Sequence, residues 1–203
     1  LHGLLRATAT PEWPWFEDRL TYCNARLAQG LLVAGERAHD DVAVAAALRA
    51  LSWLCAQQTV DGVFAPIGSN GFHVRGGVRA TFDQQPVEAS ATISACLDAH
   101  RITGDAAWAA RAQQAFRWFL GWNQLELPLY DPVSGGCRDG LHADRVNENM
   151  GAESTLSFLL SLLEMRAAER VVASPTELPR APIPISTAPI SAVLRPPVGQ
   201  ATG

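Results

Sequence analysis

The chain has 203 residues, enough for one domain of ordinary size with or without a tail, and 48% of them are apolar, so a sizeable core can form. Charged residues make up only 18%; all 16 basic residues are arginine, and 20 acidic residues leave a net charge of −4. This balance argues against a nucleic-acid binder, which needs a basic face to displace counterions from phosphates, and against a polybasic membrane-surface protein.

No run reaches the roughly 20 apolar residues of a membrane span. The most apolar run, Leu156 to Met165, is short and holds Ser161 and Glu164. Nucleic acid and membrane are therefore not expected as partners. The opening LHGLLRATAT lacks the pattern of a signal peptide and an initiator Met, so a fragment of something longer is one expectation. Cys23, Cys55, Cys96 and Cys137 lie far apart in sequence with no CxxC pair. They read as free thiols in a reducing, cytoplasmic compartment rather than as a zinc site.

In chain order, Thr10-Pro11 or Pro14 is expected to start a helix that runs to about Ala34 and stops at Gly35. Asp40 or Asp41 caps a second, with Leu48, Leu51 and Cys55 as its apolar stripe. Asp83 is expected to open a third, with Pro86 in its first turn. Thr103-Gly104-Asp105 reads as a stop followed by a cap. Trp108, Ala112, Ala115, Phe116 and Phe119 mark one face of a fourth helix, with Trp53 and Trp118 on core stripes. Asn147 is expected to start a fifth, over about 148–170, whose middle, TLSFLLSLLEM, is apolar nearly all round, as in a helix surrounded by others. Residues 172–203 hold seven prolines and no aromatic residue. This composition predicts a disordered, Pro-rich tail behind a domain over 1–171.

Connections alternate between short ones near 36–40 and 102–104 and long, glycine-rich ones over 59–82 and 124–146. Short connections make helix hairpins. A shift of 65 residues places Trp53 on Trp118, Gly71 on Gly136, Leu32 on Leu97 and Leu162, Asp18 on Asp83 and Glu148, and Glu88 on Glu153. The chain thus reads as all-α, with two full hairpins and the first helix of a third. Stacked hairpins form an open solenoid or a closed ring.

The strongest chemical constellation is acidic. Asp83-Gln84-Gln85 precedes Glu88 at one helix start, and Asn147-Glu148-Asn149 precedes Glu153 at the next. Glu88 and Glu153, expected about one and a half turns inside their helices, would converge at one concave end. Paired carboxylates among amide side chains and aromatics suit a saccharide and can divide acid and base work on a glycosidic bond. Asp83, Gln84, Gln85, Asn147, Glu148, Asn149, Tyr130 and Phe72 are the candidate substrate contacts, and Asn70, Phe64, His73, Arg75, Asp131, Asp139 and His142 are further loop candidates. The competing reading is structural, with Asp83 as a cap, Glu148 facing a helix dipole, and Glu88 and Glu153 tying loops down. No phosphate loop, dinucleotide fingerprint, HExxH or GxSxG occurs, and the five histidines show no ligand spacing. No metal and no cofactor are expected.

The segments WPWFEDRLTYCNARL, GVFAPIGSNGF, FDQQPVEASAT, TGDAAWAARAQQAFRWFLGWN, LYDPVSGGCRDGL and VNENMGAESTLSFLLSLLEM together resemble one bacterial family. It comprises the six-hairpin glycosidase-like (α/α) toroid proteins associated with, or described as, glycosyltransferases. The resemblance covers about 12–170 and is to the C-terminal part of the toroid. It implies about half of a six-hairpin ring and a carbohydrate setting. It also implies a glycosyltransferase domain or a second chain to complete the ring. The family pattern places an acidic residue where this chain has Cys23, and the 65-residue shift puts that position in register with Glu88 and Glu153. A thiol there is a poor substitute for a carboxylate. The expected function is thus a carbohydrate-active enzyme of transferase or hydrolase type. The alternatives are a non-catalytic glycan-binding or scaffold module, or an inactive fragment.

Overall fold

The computed structural model describes residues 1–173, which form one unit; side chains are described to 170. The tail expected over 172–203 lies, apart from its first two residues, outside the described residues. The unit is mostly helical. Its helices are α1 (His2–Thr8), α2 (Ala25–Ala38), α3 (Asp41–Gln57), α4 (Pro86–Thr103), α5 (Ala106–Phe119) and α6 (Ala152–Ala173). Four two-residue strands accompany them: β1 (Arg19–Leu20), β2 (Thr59–Val60), β3 (Val63–Phe64) and β4 (His73–Val74).

The expected helix forms only from Ala25, as α2, and residues 9–24 are non-helical. Pro11 and Pro14 remove amide donors and push the residues before them toward extended backbone. Trp15 and Phe16 are instead fully buried, and the Trp13 indole donates to the Glu17 carbonyl at 2.7 Å. Nor does Gly35 stop α2. A Cβ there would come within 3.0 Å of the Val44 amide nitrogen, so this glycine lets α3 pack close. The stop is His39, left-handed at φ 53°. Asp40 then caps α3 as expected, accepting from the Ala43 amide at 3.0 Å.

Gly104 (φ 71°) ends α4, and Asp105 caps α5 through the Ala107 amide at 2.9 Å. The α4 start differs from expectation. Gln85, forced extended by the following proline, is the N-cap and Pro86 the first helical residue, so Asp83 lies outside the helix. The start of α6 is also later, at Ala152 rather than near Asn147. The Asn147 amide donates to the Gly140 carbonyl at 2.8 Å, and the Asn149 carbonyl accepts from the Asp139 amide at 2.9 Å. That backbone is already committed to loop pairing.

Helices α2 and α3 pack as one hairpin and α4 and α5 as another, while α4 lies between α2 and α6. Being contacted on several sides, α4 buries nearly all of its first half, Ala89 to Cys96. Its small residues allow the close approach. Polar pairs join the three neighbours: Gln29 Nε2 donates to Asp98 at 2.7 Å, Ser94 Oγ to Glu164 at 2.6 Å, and Arg101 forks onto both oxygens of Glu36 at 2.7 and 2.8 Å. Helix α6 buries Phe158 against Phe116, Phe119 and Tyr130. It is not enclosed as its composition suggested. Leu156, Leu159, Leu160 and Leu163 are 55%, 41%, 52% and 61% exposed among the described residues.

Candidate functional site

Glu88 sits in the first turn of α4, nearer the helix start than expected. Its carboxylate crosses to the start of α2 and accepts from the backbone amides of Cys23 and Asn24, the latter at 3.3 Å, and from the Asn24 side-chain amide at 3.0 Å. Asn24 is itself held by Thr21, through its Oδ1 and Nδ2, each at 2.8 Å. A carboxylate thus closes the free amides at the head of a neighbouring helix, where the helix dipole also favours it. Burial nonetheless outweighs these donors, and the Glu88 carboxyl is pushed up to about 7.

Cys23 adopts φ 51°, which presents its amide to Glu88 and leaves its thiol half-buried. Burial, followed by the Glu88 charge, raises the thiol above its ordinary value, with a smaller upward contribution from Glu153.

A cleft of about 320 Å³ opens beside these residues, lined by Tyr22, Cys23, Gln85, Val87 and Glu153. The structure therefore brings positions 23 and 153 to one cavity, while Glu88, bonded to the Cys23 amide, is only 2% exposed and does not line it. Glu153, in the first turn of α6, is exposed. Tyr22 meets Phe72 edge-to-face at 5.0 Å, giving the rim an aromatic pair. Gln85 donates to Ser69 Oγ at 3.2 Å. A larger groove of about 610 Å³ lies toward the other ends of α4 and α6, but its Ser94, Asp98, Arg101 and Glu164 already satisfy one another or Gln29 and Glu36. The smaller cleft has the better chemistry.

The other candidate residues separate. Gln84 is fully buried, donating to the Thr81 carbonyl at 2.9 Å and to Gln124 at 2.6 Å and accepting from the Trp118 indole at 2.9 Å. Its side chain fastens loops to the core. Tyr130 stacks on Phe158 at 4.3 Å. Asn147 accepts from the Asn149 amide at 3.1 Å, and Glu148, exposed, gives its carbonyl to Arg138 at 2.7 Å; neither these nor Asn149 is among the cleft residues. Asp83 binds the Nδ1 of His142.

Two glycines grip the chain on either side of Asp83. A Cβ on Gly68 would lie 2.0 Å from the Phe82 carbonyl oxygen, and one on Gly140 2.8 Å from that of Gln84. Asn24 was not among the sequence candidates, although it adjoins Cys23; only the fold reveals that Glu88 reaches it. Among the described residues no group of three or more His, Cys, Asp or Glu side chains is placed to hold a metal ion, and no helix is long and apolar enough to cross a membrane.

The chain matches no protein-family model. No curated protein matches it either.

Proposed function

We propose that this chain recognises a saccharide at the cleft between Tyr22, Gln85 and Glu153. The observation that carries the reading is that Cys23 and Glu153, at the starts of separate helices, line one small cavity, with Glu88 accepting from the Cys23 amide beside it. An exposed carboxylate and an amide side chain suit sugar hydroxyls, and the Tyr22–Phe72 pair offers faces for a pyranose ring. The packing of α2, α4 and α6 side by side, with α3 and α5 as their hairpin partners, supports a helix-hairpin repeat. On this reading it is about half of a six-hairpin toroid of the kind found with bacterial glycosyltransferases, acting in the cytoplasm. A transferase domain or a second chain would complete the ring.

If the site turns over a glycoside, Glu153 is the group placed to touch it. Glu88, protonated for much of the time near neutrality, does not line the cleft and holds the Cys23 amide beside it. A second reading, a non-catalytic glycan-binding or scaffold module, is favoured by the three N–H donors that already occupy the Glu88 carboxylate. Calorimetric titration with a panel of mono- and disaccharides tests the proposal. Binding that weakens in Glu153→Gln is the expected result, and absence of binding by any sugar overturns it. Hydrolysis or transfer of a bound sugar, lost in Glu153→Gln, separates the enzyme from the binding module.

A further inference from the structure

Asp83 and His142 are 59 residues apart, yet the Asp83 carboxylate meets His142 Nδ1. Their alignment is built by backbone. Gln84 and Leu141 form an antiparallel bridge in which each amide donates to the other's carbonyl, at 2.9 and 2.8 Å. In such a bridge, paired side chains share a face, and residues on either side of the pair take the opposite face. Gln84 and Leu141 point inward, both fully buried. Asp83 and His142 therefore share the outward face, and so does Gln85, which lines the cleft. A tight turn in which the His142 amide donates to the Arg145 carbonyl at 2.8 Å fixes the histidine backbone.

We propose that His142, oriented by Asp83, is a ligand-contacting residue on the outward face it shares with the cleft-lining Gln85, presenting Nε2 as an acceptor to a ligand hydroxyl. The proposal rests on the saccharide reading above. Where the carboxylate oxygen accepts, Nδ1 is the donor, and in that tautomer of the uncharged ring the lone pair lies on Nε2. Nε2 makes no hydrogen bond with any described residue. Asp83 is then a positioning residue rather than a direct sugar contact.

Two measurements test this. In long-range nitrogen–proton spectra of the protein at mildly alkaline pH, His142 is expected as the Nδ1–H tautomer, shifting toward Nε2–H in Asp83→Ala. An Nε2–H tautomer in the unaltered protein overturns the proposal without any ligand. In titrations with glucose, galactose, mannose and their disaccharides, His142→Ala is expected to weaken binding by about tenfold to a hundredfold, and Asp83→Ala by less, with unchanged thermal stability in His142→Ala. Binding that is equal in His142→Ala overturns the role of His142 and leaves the saccharide reading standing. No binding by the unaltered protein overturns both.

Discussion

The Glu88 carboxylate, in the first turn of α4, accepts the side-chain amide of Asn24 at the head of α2 across 3.0 Å. One acidic side chain thereby fastens two neighbouring helices at the end where the candidate cleft opens. Glu88 therefore carries a mechanical duty at that end of the helices.

Glutamine at 88 keeps the size but replaces one accepting oxygen with an NH2 group that meets N–H donors. Glu88→Gln is expected to destabilise the unit by about 1–3 kcal/mol, which lowers Tm by about 2–4 °C for each kcal/mol in a domain of this size. Glu153, exposed, should tolerate glutamine with almost no change. Thermal denaturation of both variants checks the contrast, and equal Tm values in the two would contradict the fastening role.

The same carboxylate gives stability a pH dependence. Glu88 rises from 4.5 to about 7 on folding, so between those values the folded chain holds the proton more firmly than the unfolded chain. Stability from this group is fully present below pH 4.5 and is lost as pH rises through about 7, a change on the order of 3 kcal/mol. Urea unfolding across that range should show stability falling more steeply with rising pH in the unaltered protein than in Glu88→Gln. Parallel curves would count against a raised Glu88.

Cys55 and Cys96 bring their sulfurs to 3.7 Å in the core, between α3 and α4. The hydrogen bond between the two thiols, together with nearby Arg111, holds the Cys55 thiol below its ordinary value, while the same bond and burial push Cys96 well above. Diamide, an azo oxidant that takes up two hydrogens, is expected to join them and to leave Cys23 and Cys137 unpaired. Peptide mapping under non-reducing conditions should find the 55–96 link and none in Cys96→Ser. Preferential cross-linking through Cys23 would refute this.

Helix α6 is packed along one side only. Phe158→Ala, which empties a site stacked against Tyr130 and Phe116, is expected to cost about 3–5 kcal/mol. Leu160→Gln, on the face that is 52% exposed, should fall within about 0.5 kcal/mol of the parent. A large cost at 160 in chemical denaturation would mean that something covers this face.

Helix types and the short hairpin turns were legible because their signals are local. Asp40, Gly104 and Asp105 act through neighbours a few residues away. The errors fell where a non-local partner or a proline decided. Trp15 and Phe16 are drawn into the core from a segment whose Pro-rich spacing suggested a helix start, and Gln85 replaces Asp83 as cap because Pro86 dictates its backbone. A shift of 65 residues aligns positions 23, 88 and 153 in the sequence. It could not show that Glu153 would line the cavity while Glu88 does not, since that depends on which amides lie across the gap. The pairing of Asp83 with His142 left no local trace at all, because it arises from a two-residue bridge between separate loops.

Gly68 and Gly140 come from different loops and press on Phe82 and Gln84, the residues on either side of Asp83. Asp83 therefore has little latitude of its own. A methyl group at position 68 would displace the carbonyl next to it, and one at 140 would open the bridge that carries His142, so the two partners would shift together rather than separately. The separation of that acid and that imidazole is set by two hydrogen atoms, those that glycine carries where every other residue carries carbon.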